Sequence, residues 1–264
     1  MGDSVRTRRA ASFSGVADVY ARSRPGYPDR AVQWMAPGPE SQVLELGAGT
    51  GKLTDGLVRA GHRVVATDPS GTMLDELRTT LSVHTVEARA ERLPFRSASF
   101  DVAVAAQAYH WFDAPIALPE IARVLRDGGE LALVWNLRDE SVPWVRELSE
   151  LIGSEDTPRS VLDAGPLATS PLFGPLQHEE FGHWQLLDLD ALVGLVESRS
   201  YVATKSEDDR RAVLDQVREL YARHTRGSES LRMRYTTLCF RTRVDRSTLP
   251  PDPPDAGGLL VDLS

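Results

Sequence analysis

Between residues 42 and 136 the chain alternates two periodicities, and that alternation restricts its fold more than any other feature. Short apolar runs recur as QVLELG, HRVVATD, VHTVEA, FDVAVAA and ELALVWN, most of them separated by helical spacings such as Leu53, Leu57 and Ala60 or Ile121, Val124 and Leu125. A strand that is apolar on both sides needs cover on both faces. Five such strands joined by helices therefore predict an α/β fold: a Rossmann-like, mainly parallel sheet covered by helices on both faces, with right-handed crossovers. Ligands of such a sheet sit beyond the carboxyl ends of its strands.

The flanks are less regular. Residues 13–37 predict two lid helices broken at Arg24-Pro25, because a residue before proline is pushed out of the helical region. Residues 140–228 predict a mostly helical elaboration on the substrate side, with one strand-like run near Glu179 to Leu187, and residues 230–244 predict a closing strand. The expected organisation is a single domain over 1–245 with its core at 42–136. Residues 246–264 are rich in Pro, Asp and Gly and too poor in apolar residues to fold, which predicts a disordered tail. A chain of 264 residues, 41% hydrophobic and 26% charged, has ample material for this core. Its net charge of −8 argues against nucleic-acid or anionic-membrane partners, which are bound chiefly through Lys and Arg. The single cysteine, Cys239, leaves no internal disulfide, and no stretch has the pattern of a signal peptide or the roughly 20 apolar residues of a membrane span. The expected compartment is the cytoplasm. The six histidines are scattered, so no metal site is expected.

The first strand runs into VLELGAGTGKLT, Val43 to Thr54, with glycines at Gly47, Gly49 and Gly51 behind one acid, Glu45. A dinucleotide fingerprint needs G-x-G-x-x-G, but its third position here is Lys52; a P-loop needs G-x-x-x-x-G-K-[ST], but Leu46 and Leu53 break it. A carboxylate at the strand end also opposes a pyrophosphate and suits a ligand with an amino group. Asp68 closes the second strand 21 residues after Gly47, where a carboxylate can accept from both hydroxyls of a ribose. That position speaks for a nucleoside without saying which.

Further landmarks follow in order: Ala90-Glu91-Arg92-Leu93-Pro94-Phe95 after the third strand and Ser99-Phe100-Asp101 at the fourth. With the acid before G-x-G-x-G and with Asp68, this series resembles the class I S-adenosylmethionine-dependent methyltransferases over at least residues 13–136. Two more stretches, Tyr20 to Pro28 and Gln107-Ala-Tyr109-His110-Trp111-Phe112-Asp113, are similar to a small-molecule branch that includes trans-aconitate methyltransferase-like proteins and bacterial relatives. Leu133 to Glu140 and Val196 to Tyr201 extend the likeness to nearly the whole chain before the tail. Where that set mostly has R-P-G-G before the fifth strand, this chain has Arg126-Asp127-Gly128-Gly129, a helix-ending turn in either form.

The resemblance implies S-adenosyl-L-methionine as cofactor and a site residue by residue. Gly47, Ala48 and Gly49 would pass under the methionine part, with Glu45 behind them. Asp68 would hold the ribose, Pro69 and Met73 would flank the adenine, Ala90 and Glu91 would meet its edge, and Ala106 and Gln107 would approach the sulfonium. Each also has a plain structural reading, as turn glycine, core filler or solvated acid. At the helix break, Tyr20 could face the cationic sulfur and Arg24 could pair with the methionine carboxylate; alternatively Arg24 caps a local carbonyl. Tyr109, Trp111 and Trp135 would wall the pocket of a small-molecule acceptor. His110 is either a base or orienting group or a packing residue, and no base is needed if the acceptor is a carboxylate. The expected activity is methyl transfer to a small molecule, most simply to oxygen. A non-catalytic cofactor-binding protein and a nicotinamide-dependent dehydrogenase are the competing readings, the latter opposed by the glycine spacing and Glu45.

Overall fold

The structure is a computed structural model and describes residues 23–152, 164–199, 202, 205–225 and 229–249. The first lid helix and Tyr20 lie outside them. All five expected strands of the core form: β1 (Gln42–Leu46), β2 (Arg63–Asp68), β3 (His84–Glu87), β4 (Phe100–Ala106) and β5 (Leu125–Arg138). Between and before them come helices α1 (Asp29–Met35), α2 (Lys52–Arg59), α3 (Gly71–Thr80) and α4 (Ala114–Val124). The expected substrate-side region supplies α5 (Pro143–Ile152), β6 (Gln177–Leu187), α6 (Leu189–Glu197) and α7 (Glu207–Thr225), and the closing strand is β7 (Leu231–Arg243). The seven strands run in the order β3-β2-β1-β4-β5-β7-β6, with β1–β2, β2–β3, β1–β4 and β4–β5 all parallel. The strand order reverses at β1, so the loops after β1 and β4 diverge there, the place where open α/β sheets bind ligands.

The described residues fall into two compact units. The larger holds 27–135, 164–181 and 237–249, the smaller 23–26, 136–152, 182–199, 202, 205–225 and 229–236. In the larger unit, Val43, Val64, Val102, Val104, Ala132 and Val134 pack their sheet face under Val32 and Met35 of α1 and Leu53 and Leu57 of α2. Leu53 and Leu57 are essentially fully buried, each contributing about 2 kcal/mol of transfer free energy. On the opposite face Ala48 and Ala66 pack against Leu77 of α3. The smaller unit has a core of its own: Trp144 and Leu148 of α5, Leu192 and Leu195 of α6 and Val217 and Leu220 of α7 surround Met233 and Tyr235.

Two sequence landmarks prove to be fastenings. Asp101 of S-F-D accepts from the backbone N–H of Gln42 at 2.8 Å and pairs with Arg126, tying the starts of β1, β4 and β5 together. The segment 90–95 is held by Arg123, which donates to the carbonyls of Leu93 and Phe95, by Glu120, which accepts from Leu93 N–H, and by the edge-to-face pair Phe95–Phe100. The turn expected at Arg126 to Gly129 ends α4 at Val124 but lies inside β5: Phe100 faces Leu125, while Val102 faces Glu130. The extra residues loop out where Gly128 takes φ +71°. Arg246, at the head of the expected tail, starts a 3-10 turn and donates to the carbonyls of Ala122, Arg123 and Leu125.

Candidate active site

The site grows from the ends of β1 and β2. Its three glycines have different physical reasons. Gly47, at φ +71°, lies so close to the segment after β4 that an added Cβ would be 2.6 Å from the Cβ of Ala108. Gly51, at φ +87°, caps the N-terminus of α2, and a Cβ there would meet Leu77 at 2.9 Å. Gly49, at φ +55°, has nothing within 4 Å of where its Cβ would be. No protein packing demands Gly49; only its left-handed backbone does, and the space above it is open.

Two buried carboxylates flank that opening. Asp68 takes the N–H of Gly49 on one oxygen at 2.9 Å and the N–H of Ser70 on the other at 2.8 Å. A carboxylate has about four lone-pair sites, so about two remain for a ligand. Burial raises the Asp68 pKa, and the two amides only partly offset this. Glu45 is 1% exposed, and the Thr54 hydroxyl donates to it at 2.6 Å. Burial pushes the Glu45 carboxyl up to about 8, Thr54 pulls it down, and the neighbouring charge of Asp68 raises it further. The loop is pinned by Thr67, whose hydroxyl donates to the Glu45 carbonyl at 2.8 Å and whose own carbonyl accepts from Ala48 N–H at 2.9 Å. The result is a hydrogen-bonded turn flanked by two buried acids, a donor-poor chemistry that suits a cation or hydroxyl donors. Thr50, in the same loop, has a buried hydroxyl without a hydrogen-bond partner.

The remaining candidates of the larger unit distribute around this turn. Ser70 caps α3 by accepting from Met73 N–H, which buries Met73, while Pro69 stays exposed. Ala90 is buried, and Glu91 accepts from Asp113 N–H at 2.7 Å at the start of α4. At the end of β4, Ala106 is half-buried, and Gln107 adopts φ +54° as its N–H donates to the Val134 carbonyl at 2.9 Å. Tyr109 is buried, which pushes its phenol up to about 12, and its ring meets Phe112 edge to face. His110 is exposed and tilts against Trp111 with ring centroids 4.9 Å apart. Trp135 is 2% exposed, packs its edge on Phe240 of β7, and buries its indole N–H without an acceptor.

Arg24 belongs to the smaller unit, where its guanidinium donates to the Ser198 hydroxyl at 3.0 Å and carbonyl at 3.1 Å. Arg24 thus caps a carbonyl, but one 174 residues away in the chain and not a local one. Reasoning from the sequence missed Thr54 and Ala108. Thr54 lies nine residues after Glu45, one turn into α2, and a hydroxyl facing back toward an acid was legible in LELGAGTGKLT; nothing in the sequence signalled that Ala108 would close on Gly47. Among the described residues no three potential metal ligands cluster, and no helix is long and apolar enough to cross a membrane.

Comparison with known proteins places this geometry in a lineage. A methyltransferase domain model matches residues 44–133. An uncharacterised methyltransferase of Mycobacterium tuberculosis is 44% identical over 242 residues, covering 90% of this chain and 98% of that protein. The solved structure of a putative type II methyltransferase from Anaeromyxobacter dehalogenans is 26% identical, with a TM-score of 0.65 over 86% of this chain and 99% of that one. A malonyl-[acyl-carrier protein] O-methyltransferase of Erwinia pyrifoliae is 31% identical over 144 residues, 51% of this chain and 55% of that protein. With the sheet order, the glycine turn and its two acids already in place, these likenesses identify the chain as a member of the class I S-adenosylmethionine-dependent methyltransferase family.

Proposed function

We propose that this protein binds S-adenosyl-L-methionine at the β1 and β2 ends and transfers its methyl group to an oxygen of a small-molecule acceptor, a hydroxyl or a carboxylate. The observation that carries the reading is Glu45. A carboxyl buried to 1% exposure beside a second acid is held protonated near neutral pH, and a cation brought into the loop at that pH restores its charge. An amino-acid ammonium has that charge; a pyrophosphate has the wrong one. The open space above Gly49 and the spare lone pairs of Asp68 fit the rest of the cofactor, an amino-acid chain and a ribose.

When bound, S-adenosylmethionine supplies an activated methyl group on a sulfonium, so the protein's own task is to orient and to exclude water, worth about 7–11 kcal/mol in well-oriented systems. In this reading Glu45 receives the ammonium and Asp68 the ribose hydroxyls. Gly47, Ala48 and Gly49 give backbone access; Pro69 and Met73 flank the base, and Ala90 and Glu91 border its edge. Ala106 and Gln107 lead toward the reacting methyl, and Tyr109, Trp111 and Trp135 wall the acceptor. His110, exposed at the mouth of this turn sequence, takes the proton of a hydroxyl acceptor or orients a carboxylate. The partial likeness to a malonyl-[acyl-carrier protein] O-methyltransferase supports oxygen as the acceptor atom.

The test has two arms. S-adenosylmethionine and its demethylated product should raise the melting temperature while NAD and ATP do not, because a ligand that binds only the folded state stabilises it by mass action. Labelled methyl transfer into a metabolite extract should then give a product whose label survives acid if it is an ether and is released by mild base if it is an ester. Preference for NAD in the first arm would overturn the cofactor; label recovered only on nitrogen or carbon would overturn the oxygen acceptor.

A further inference from the structure

The sheet ends on an open strand. In the strand order β6 has β7 on one side and, among the described residues, no strand on the other. Edges of this kind are ordinarily blunted by charged side chains, proline or a bulge. β6, QHEEFGHWQLL, has exposed Glu179 and Glu180 at one end but neither Lys nor Pro. At its other end one face presents Trp184, 52% exposed, and Leu186, 67% exposed. On the neighbouring strand the guanidinium carbons of Arg232 and Arg234 lie 4.9 and 5.9 Å from the Trp184 ring centroid. Glu180, exposed, lies four residues earlier on the same face of β6.

We propose that β6 is the interface of a homodimer, in which two copies pair their edge strands antiparallel about a two-fold axis at Gly182. Directly opposed residues of an antiparallel pair share a face of the joint sheet, so this register sets Glu180 of each copy against the partner copy's Trp184. The carboxylate then meets Arg232, the nearer of the two guanidinium groups over that indole, with Arg234 beside it already paired to Asp139 at 3.4 Å. The symmetry makes the contact twice. Neighbouring registers lose this pairing. An axis at Trp184 brings the arginine pairs of both copies together, an axis at Glu180 opposes two carboxylates, and axes at His183 and Phe181 set Glu180 against Leu186 and Gly182, which carry no charge. Gly182 also suits the axis sterically, since a Cβ there would meet nothing within 4 Å and the residue itself brings no side chain. A stripe of tryptophan and arginine is the composition in which binding energy concentrates at protein interfaces.

Sedimentation velocity of the full chain tests this directly. At about 20 μM, a concentration at which a micromolar dimer is mostly assembled, the mass should be twice the 29.0 kDa of the chain. Glu180→Arg, which turns two attractions into two repulsions, should weaken the dimer about 10-fold or more, and the double variant Glu180→Arg, Arg232→Glu, which leaves the Arg234–Asp139 pair intact, should restore it. Trp184→Glu should give a monomer. These side chains are exposed, so each variant should keep the parent's circular dichroism, and any fall in melting temperature should vanish at dilutions where the parent is itself a monomer. A parent that sediments as a monomer at that concentration overturns the proposal, as does a dimer indifferent to Glu180→Arg and Trp184→Glu.

Discussion

Replacing Glu45 by glutamine should make the ligand-free protein more stable while destroying its ability to hold the cofactor. The sign follows from proton linkage. In the unfolded chain a glutamate carboxyl ionises at its model value of 4.5, whereas in the fold burial holds Glu45 at about 8. Between those values the folded state keeps a proton that the unfolded state has released, so the stability Glu45 confers is fully present below pH 4.5 and is lost as pH rises toward 8. At pH 7 the gap is about 2.5 pH units, which at 1.36 kcal/mol per unit is roughly 3 kcal/mol of destabilisation. Glutamine keeps the shape and the acceptor for Thr54 but never ionises; its amide N–H2 must still be buried, which costs about 1 kcal/mol. The net gain is about 2 kcal/mol at pH 7, roughly 5 °C in melting temperature for a chain of this size.

The assay is a pair of urea and thermal denaturation series from pH 5 to 8. The parent should lose stability across that range and Glu45→Gln should lose much less; the part that remains comes from Asp68, whose raised pKa has the same sign. The two proteins should converge near pH 5. In parallel, S-adenosylhomocysteine should bind the parent about 10-fold more tightly for each pH unit between 6 and 7, because taking up an ammonium expels the Glu45 proton. Calorimetry in buffers of different ionisation enthalpy should read about one proton released. Parallel pH profiles for parent and variant, or a variant less stable at pH 7 than the parent, would refute the assignment of Glu45 as the protonated, ligand-awaiting acid.

Other expectations follow from the same turn. Asp68→Ala should remove most of the S-adenosylhomocysteine-induced thermal shift, and a variant that binds as tightly as the parent would take Asp68 out of the ribose site. Gly47→Ala should destabilise by about 2–4 kcal/mol, because its Cβ lands 2.6 Å from Ala108, and Ala108→Gly should recover about half of that in a double-mutant cycle. Gly49→Ala, with open space at its Cβ, should cost only the left-handed strain of about 1 kcal/mol yet abolish binding; equal losses of stability at the two positions would contradict their different roles. His110→Ala should slow single-turnover methyl transfer about 100-fold without changing the melting temperature if the ring is a base, and a variant with full activity across pH would remove it from the mechanism.

The sheet was legible because its information is local. Each strand of the core is a short two-sided apolar run, and a run such as FDVAVAA can satisfy its burial only inside a covered parallel sheet. The same local logic singled out Gly49, which takes a left-handed backbone, and Asp68, which ends β2. It could not separate Gly47 from Gly49, because the reason for Gly47 is Ala108, which lies 61 residues further on and is joined to it only by the register of β1 on β4. Nor could spacing reveal that S-F-D and the 90–95 segment act as fastenings, since Asp101 meets Gln42 and Arg123 meets Leu93 across turns that exist only after the sheet has formed. Glu45 stands between these cases. Its acid was visible and the expectation of a cationic ligand followed from charge alone, but its raised pKa required its depth and the nearness of Asp68, which only the folded chain supplies. On the proposed function, the burial that makes Glu45 costly to ionise is also what makes a cation beside it favourable, so the loop's cost in stability and the selectivity proposed for it would have one physical origin.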